Sequence, residues 1–308
     1  MAPQPDADAR VIKGGAMKGL ALVLGGGGPV GIAWETGIIA GLAEEGVDLS
    51  GAELIIGTSA GSVVGAQLAL GRHPSQMLQA QLAAEARSEG DRPLQEAAQA
   101  NMQAFLEMFT RLRLGSGRPE DLRREIGAFA LRAQTISEET WLAGFGRTLG
   151  EAPWPERDFR CTAVDAEDGS FMVWTRESGV PLVRAVASSC AVPGIFPPVT
   201  INGRRYMDGG VRSGTNADLA RGWPKVVVLS VMGARRNDPL AENARLVLER
   251  ELKALEESGS QVFLIRPDEA SLDAFGLNLM DFRRRRGAAE AGYRQGKAEA
   301  ARLRALLA

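Results

Sequence analysis

The residues best suited to chemistry in this chain are a serine, an aspartate and a run of glycines. Ser59 sits in Gly57-Thr58-Ser59-Ala60-Gly61, after the apolar Leu54-Ile55-Ile56 and before the small-residue stretch that opens at Ser62. The G-x-S-x-G spacing describes a strand, a sharp turn that presents the serine hydroxyl, and a helix. Gly57 and Gly61 suit flanks too tight for larger residues. A helix that begins just after Ser59 turns its free N–H groups and positive dipole end toward the hydroxyl. Upstream, Gly25-Gly26-Gly27-Gly28-Pro29-Val30-Gly31 leaves several backbone N–H groups uncovered by side chains. Ahead of a helix, such a loop holds a phosphate or the oxyanion of an acyl-transfer intermediate. Downstream, Asp208 is followed by Gly209 and Gly210, which leave its flank open to another side chain. Each motif also has a plain reading, a Gly/Ser-rich turn for the first and an Asp-Gly-Gly turn for the last.

A serine nucleophile needs a base. The only histidine, His73, lies in Gly71-Arg72-His73-Pro74, beyond the far end of the helix that follows Ser59. It reads as a surface turn residue, so a Ser-His-Asp triad is not expected. Asp208 then becomes the candidate base. Free aspartate, with a pKa of about 3.9, is a poor base for a hydroxyl, so its surroundings must be partly desolvated to raise it. The reading therefore requires a buried Asp208 within hydrogen-bond reach of Ser59.

The elements that position these residues alternate between strand and helix. Gly19 to Leu24 reads as a buried strand and Ile32 to Glu45 as an amphipathic helix. The segment from residue 75 to 150 shows helical signals only: a helix capped at Ser75 and running to about Ser88; one opened by Pro93 and carrying Met102, Phe105, Phe109 and Leu112; one from Pro119 to about Ala133; and one capped at Ser137. The Met/Phe stripe reads as core, with a lid over the site as the alternative. Phe159 to Asp165 and Phe171 to Thr175 flank a turn, and Leu182 to Ser188 is a short helix. Val199-Thr200-Ile201, then Asn202-Gly203, then Arg204 onward signals a hairpin that delivers Asp208 at its end. Val226 to Val231 is a strand, Asp238 to about Glu257 a helix, and Gln261 to Ile265 a strand. The final basic helix carries Tyr293, Gly296, Ala300, Leu303 and Leu307 at helical spacing and is expected to pack that stripe on the sheet; contact with an anionic membrane surface is the alternative. The pattern predicts a three-layer α/β/α sandwich with a mainly parallel central sheet and a helical insert after the nucleophile helix.

Composition narrows the function classes. The chain has 308 residues, 45% hydrophobic and 24% charged, with a net charge of -2, so no overall pull toward nucleic acid is expected. Cys161 and Cys190 form neither a metal spacing nor a disulfide framework. No metal or cofactor is implied, a reducing, cytoplasmic setting is the default, and no secretory signal is read at the start of the chain.

In order, the glycine loop, Gly57-Thr58-Ser59-Ala60-Gly61 and Asp208-Gly209-Gly210 resemble the motifs of the patatin-like phospholipase family, and Ala187 to Pro198 resembles its segment before the aspartate. The resemblance covers about residues 18–235. It implies a Ser-Asp dyad without histidine, with Ser59 as nucleophile, Asp208 as base and Gly26, Gly27 and Gly28 as the oxyanion hole; Gly31, Gly57, Gly61, Gly209 and Gly210 support the motifs. It implies a lipid or other ester as substrate, with the chain acting as a phospholipase A or lysophospholipase. The family often carries a basic residue where this chain has Val30, which weakens the case for phospholipid and favours neutral esters. The expected organisation is a tail over 1–16, a catalytic domain over 17–235 with its helical insert at about 75–150, and an α/β extension over 236–308 completing the same domain. Two rivals stay open. One is a dinucleotide-binding loop, since Gly26, Gly28 and Gly31 fit G-x-G-x-x-G, although the second strand ends without the acid that would bind ribose. The other is a lipid-binding module of the same fold without turnover.

Overall fold

The computed structural model describes residues 17–83, 96, 101–103, 107, 118–233 and 239–307. The tail over 1–16, the last turn toward Ser88, most of the helix expected from Pro93 (with Phe105, Phe109 and Leu112) and Asp238 lie outside the described residues.

The elements run β1 (Met17–Leu24), α1 (Gly28–Glu44), β2 (Ala52–Gly57), α2 (Ala60–Ala69), α3 (Pro74–Leu82), α4 (Pro119–Arg132), α5 (Glu138–Leu149), β3 (Asp158–Asp165), β4 (Phe171–Trp174), α6 (Leu182–Ser189), β5 (Val199–Ile201), β6 (Arg204–Asp208), β7 (Lys225–Leu229), α7 (Pro239–Glu257), β8 (Gln261–Ile265), α8 (Glu269–Phe275) and α9 (Arg285–Leu307). The strands form one sheet in the order β5-β6-β3-β2-β1-β7-β8, with β4 also paired to β3. The run β3-β2-β1-β7-β8 is parallel, and β4, β5 and β6 are antiparallel additions.

The alternation along β1 builds the layers. Leu20, Leu22 and Leu24 point to one face, where they pack with Trp34, Ile38 and Val64 from α1 and α2. Ala21 and Val23 point to the other, where they meet Leu248 and Leu255 of α7. Helices thus cover both faces, as a parallel sheet requires, and the architecture is a three-layer α/β/α sandwich. The Asn202-Gly203 hairpin is present. Both residues take positive φ, 51° and 80°, which matches the right-handed twist of β5 and β6.

The structure departs from the sequence expectations at three places. Helix α3 is capped by His73 rather than Ser75: the exposed imidazole Nδ1 accepts the Ser75 N–H at 3.3 Å. Helix α8 is an element that the sequence reading lacks. The last helix, α9, lays its small-residue stripe on α1 rather than directly on the sheet. A side-chain carbon added at Gly37 would stand 2.3 Å from Ala289 O, and at Gly41 2.2 Å from Tyr293 O. Reciprocally, one at Gly292 would stand 2.4 Å from Trp34 O and one at Gly296 2.3 Å from Ile38 O. The helices touch backbone to backbone, which only glycine permits. Met102 is the one described member of the Met/Phe stripe, and it packs against the main core.

Beneath the glycine loop lies Glu35 of α1. It is fully buried, and neither carboxylate oxygen has a hydrogen-bond partner among the described residues. The backbone N–H it approaches, that of Gly25, is already bonded to Leu229 O at 3.0 Å. Burial pushes its pKa well above the ordinary carboxyl value, which favours the neutral acid.

This packing can be tested at two residues. Gly37→Val forces α1 and α9 apart and lowers the unfolding free energy by about 3 kcal/mol, read from urea melts. For Glu35, a raised folded pKa means that stability is fully present below the unfolded value, about 4.3, and is lost as pH rises through the folded value. Glu35→Gln mimics the neutral acid and lacks that loss. Its urea midpoint should gain on wild type as pH is raised from about 5 to about 8; a constant difference would show that Glu35 does not titrate in this way.

Candidate active site

Ser59 occupies the turn between β2 and α2 with φ 52° and ψ -117°, a left-handed backbone rarely taken by a residue with a side chain. Its neighbours hold it there. The Ser59 N–H donates to Ser189 Oγ at 3.0 Å. Its carbonyl accepts from the Ser62 N–H at 2.9 Å, from Ser62 Oγ at 2.7 Å and from Cys190 Sγ at 3.1 Å. Burial pushes the Cys190 thiol pKa upward, which keeps it a neutral donor. Gly61 lets α2 dock on the end of β1, since a side-chain carbon there would stand 2.1 Å from Leu24 O. Gly57 is packed closely against the Ser62 backbone.

Asp208 ends β6, where it pairs with Ala163 of β3, and its N–H bonds to Ala191 O at 3.0 Å. It is 5% exposed. One carboxylate oxygen accepts the Gly210 N–H at 2.7 Å, and the Ser59 side chain lies close enough to act on the carboxylate's pKa. Burial raises its pKa to about 7; the neighbouring Ser59 side chain and the Gly210 N–H pull in the opposite direction and are outweighed. Gly209 sits so close to Thr162 Oγ1 that any side chain there would collide with it.

The glycine loop lies alongside. A carbon added at Gly26 would stand 3.4 Å from Ser59 Cβ, and one at Gly31 3.4 Å from Ala60 Cβ. The starts of α1 and α2 therefore converge beside the serine. The loop's donors are not equivalent. The Gly26 N–H is committed to Gly214 O at 2.7 Å, the Gly31 N–H to Gly27 O at 2.8 Å and the Val30 N–H to Leu279 O at 3.3 Å. Pro29 has none. Among the described residues no acceptor meets the N–H groups of Gly27, Gly28 or Ala60. Gly28 takes φ 59°, and the Met280 Sδ and Leu279 carbonyl lie against its α-carbon.

Several of these partners carry no signal in the sequence. Asn216, itself at φ 51°, donates through Nδ2 to Thr58 Oγ1 at 3.0 Å and to Ser213 O at 2.9 Å; the Thr58 and Thr162 hydroxyls meet at 3.0 Å. This buried polar cluster ties the elbow to β3 and to the segment after Asp208. Glu251 of α7 supports it by accepting from Thr215 Oγ1 at 2.5 Å and the Ala217 N–H at 3.0 Å. Ser189 stands out in the sequence only as part of a Ser-Ser run. His73 is exposed, at the far end of α2. Among the described residues no group of three or more His, Cys, Asp or Glu could hold a metal ion.

Two solved structures are similar to the chain. VipD from Legionella pneumophila shares 15% identity with a TM-score of 0.44, covering 92% of this chain and 66% of its own. The type III effector protein ExoU shares 16% with a TM-score of 0.41, covering 94% of this chain and 53% of its own. The chain thus spans about two thirds of the first and about half of the second. No curated protein matches it. The family model described as patatin-like phospholipase matches residues 22–221, a stretch that holds the glycine loop, the Ser59 turn and Asp208 with its two glycines. That match takes in well over half of the sequence, and the chain belongs to the patatin-like phospholipase family.

Proposed function

We propose that the chain is a serine lipid acyl hydrolase, of the phospholipase A or lysophospholipase kind, working through a Ser59–Asp208 dyad. The observation that carries this reading is the placement of the Ser59 hydroxyl beside the buried carboxylate of Asp208, whose pKa burial raises. Family membership supports it.

The reaction runs in two halves. Asp208 takes the Ser59 proton as Oγ attacks the ester carbonyl. The oxyanion forms facing the uncommitted N–H groups of Gly27 and Gly28, with the start of α2 at Ala60 adding its dipole and a further donor. Gly26 serves the loop by its lack of a side chain beside Ser59, its N–H being held by Gly214. The protonated Asp208 returns its proton to the departing alcohol as the carbon–oxygen bond breaks. It then takes a proton from water, whose oxygen attacks the acyl-serine; as the acyl–oxygen bond breaks, Asp208 returns that proton to Ser59 Oγ and the fatty acid leaves. Val30 is buried and brings no charge to the site, so the reading includes neutral esters among the substrates.

Two measurements test this. Intact protein treated with a fluorophosphonate and mapped by peptide mass should carry the label on Ser59, and Asp208→Asn should cut the labelling rate by about 100-fold or more. Folded protein left unlabelled at Ser59 would retire the hydrolase and leave a lipid-binding module. The second reads pH. Asp208 must be ionised to accept the proton, so kcat/KM should fall about tenfold per pH unit below its pKa of about 7 and level off above it. An acid limb near the ordinary aspartate value of about 4 would mean that the base is not a buried Asp208.

A further inference from the structure

The loop joining α8 to α9, Gly276-Leu277-Asn278-Leu279-Met280-Asp281, grips the glycine loop directly. The Leu279 carbonyl takes the Val30 N–H at 3.3 Å, and Met280 and Leu279 lie against Gly28. It falls outside the stretch matched by the family model, which ends at residue 221. The loop's tip is Leu277, which is 91% exposed; the next most exposed large apolar side chain among the described residues, Leu246, is 40% exposed. A lone exposed leucine is ordinary on a protein surface. This one differs in its place, two residues before the carbonyl that holds the glycine loop. It differs also in its company. From residue 276 to 286 the chain carries four arginines against one aspartate. Arg283 and Arg284 pair with that aspartate, Asp281, yet their side chains remain 72% and 46% exposed. An almost fully exposed apolar side chain beside a basic run suits an interface with acyl chains on one side and anionic head groups on the other.

We propose that the Gly276–Asp281 loop is the lipid-docking tip of the catalytic mouth, with Leu277 seated among the acyl chains of an anionic lipid surface and Arg283 and Arg284 at its head groups. The element that meets the lipid is then the same one that grips Gly28 and Val30, so docking sets the mouth of the site against the surface from which the substrate comes. The proposal rests on the lipid-hydrolase reading for its purpose, but its test does not require turnover. Co-sedimentation is measured with the full chain carrying Ser59→Ala, using vesicles of phosphatidylcholine alone and of phosphatidylcholine mixed with phosphatidylglycerol. Binding should be tighter to the mixed vesicles. Adding Leu277→Ser should weaken binding to them by about tenfold, and adding Arg283→Gln should weaken it by about fivefold while leaving the neutral vesicles little affected. Both side chains are exposed, so thermal melts should match the parent and exclude unfolding as the cause. Equal binding by the parent and by the chain carrying Leu277→Ser, or no binding to either vesicle, overturns the proposal. If Ser59 of the wild type is labelled by fluorophosphonate while vesicles are ignored, the hydrolase reading stands and the docking loop falls. Binding that depends on Leu277 in a chain whose Ser59 never reacts keeps the docking loop and removes the hydrolase.

Discussion

The rest of the structure depends on one strained residue. Ser59 sits at φ 52° and ψ -117°, a conformation that costs of order 1–3 kcal/mol for a residue with a side chain. It persists because the backbone there is over-determined. Its N–H is held by Ser189, and its carbonyl by Ser62 and Cys190. Those partners must themselves be fixed. Trp174 Nε1 bonds to Ser188 Oγ at 3.0 Å, Trp141 Nε1 bonds to Ala187 O at 3.1 Å, and Trp141 stacks on Phe196 at 4.1 Å. Helix α6 and the loop after it are thereby pinned by aromatic side chains from β4 and α5. A helix that looks remote from Ser59 in the chain is part of what keeps its turn sharp.

Burial at this place acts on two carboxyl groups. Asp208 is desolvated but accepts the Gly210 N–H and has the Ser59 side chain beside it, and its pKa is raised to about 7. It can therefore be ionised at neutral pH and still be a stronger base than a solvated aspartate. Glu35 is desolvated with no partner for either oxygen among the described residues, and the same physics pushes its pKa well above the ordinary carboxyl value. The two differ in that Asp208 accepts the Gly210 N–H while neither Glu35 oxygen has a partner among the described residues.

The site also draws on residues beyond the family match. Leu229 and Leu279 carbonyls hold Gly25 and Val30, Val231 packs against Gly27 and Gly31, and Glu251 steadies the segment around Asn216. The close crossing of α1 and α9 then fixes the axis of the helix on which the glycine loop opens. Gly26, Gly27 and Gly28 look alike in sequence, yet their N–H groups are sorted by these neighbours into one that is committed and two that meet no acceptor among the described residues.

What was legible in the sequence was whatever contiguous residues decide. Strand periodicity, the Asn202-Gly203 turn, the Ser137 cap and the G-x-S-x-G elbow are set by backbone sterics and hydrogen bonds over a few positions, so the sandwich and its order of elements could be read. The lack of a usable histidine pointed to Asp208 by chemistry. His73 as a cap, α8, the seat of α9 on α1 and the roles of Ser189, Asn216 and Leu279 were not legible, because each depends on a partner distant in the chain. The sequence alone determined which residues could do chemistry; the tertiary structure decided which donors are free, which carboxylate is bonded and how far burial shifts its proton, because those are properties of the space between elements.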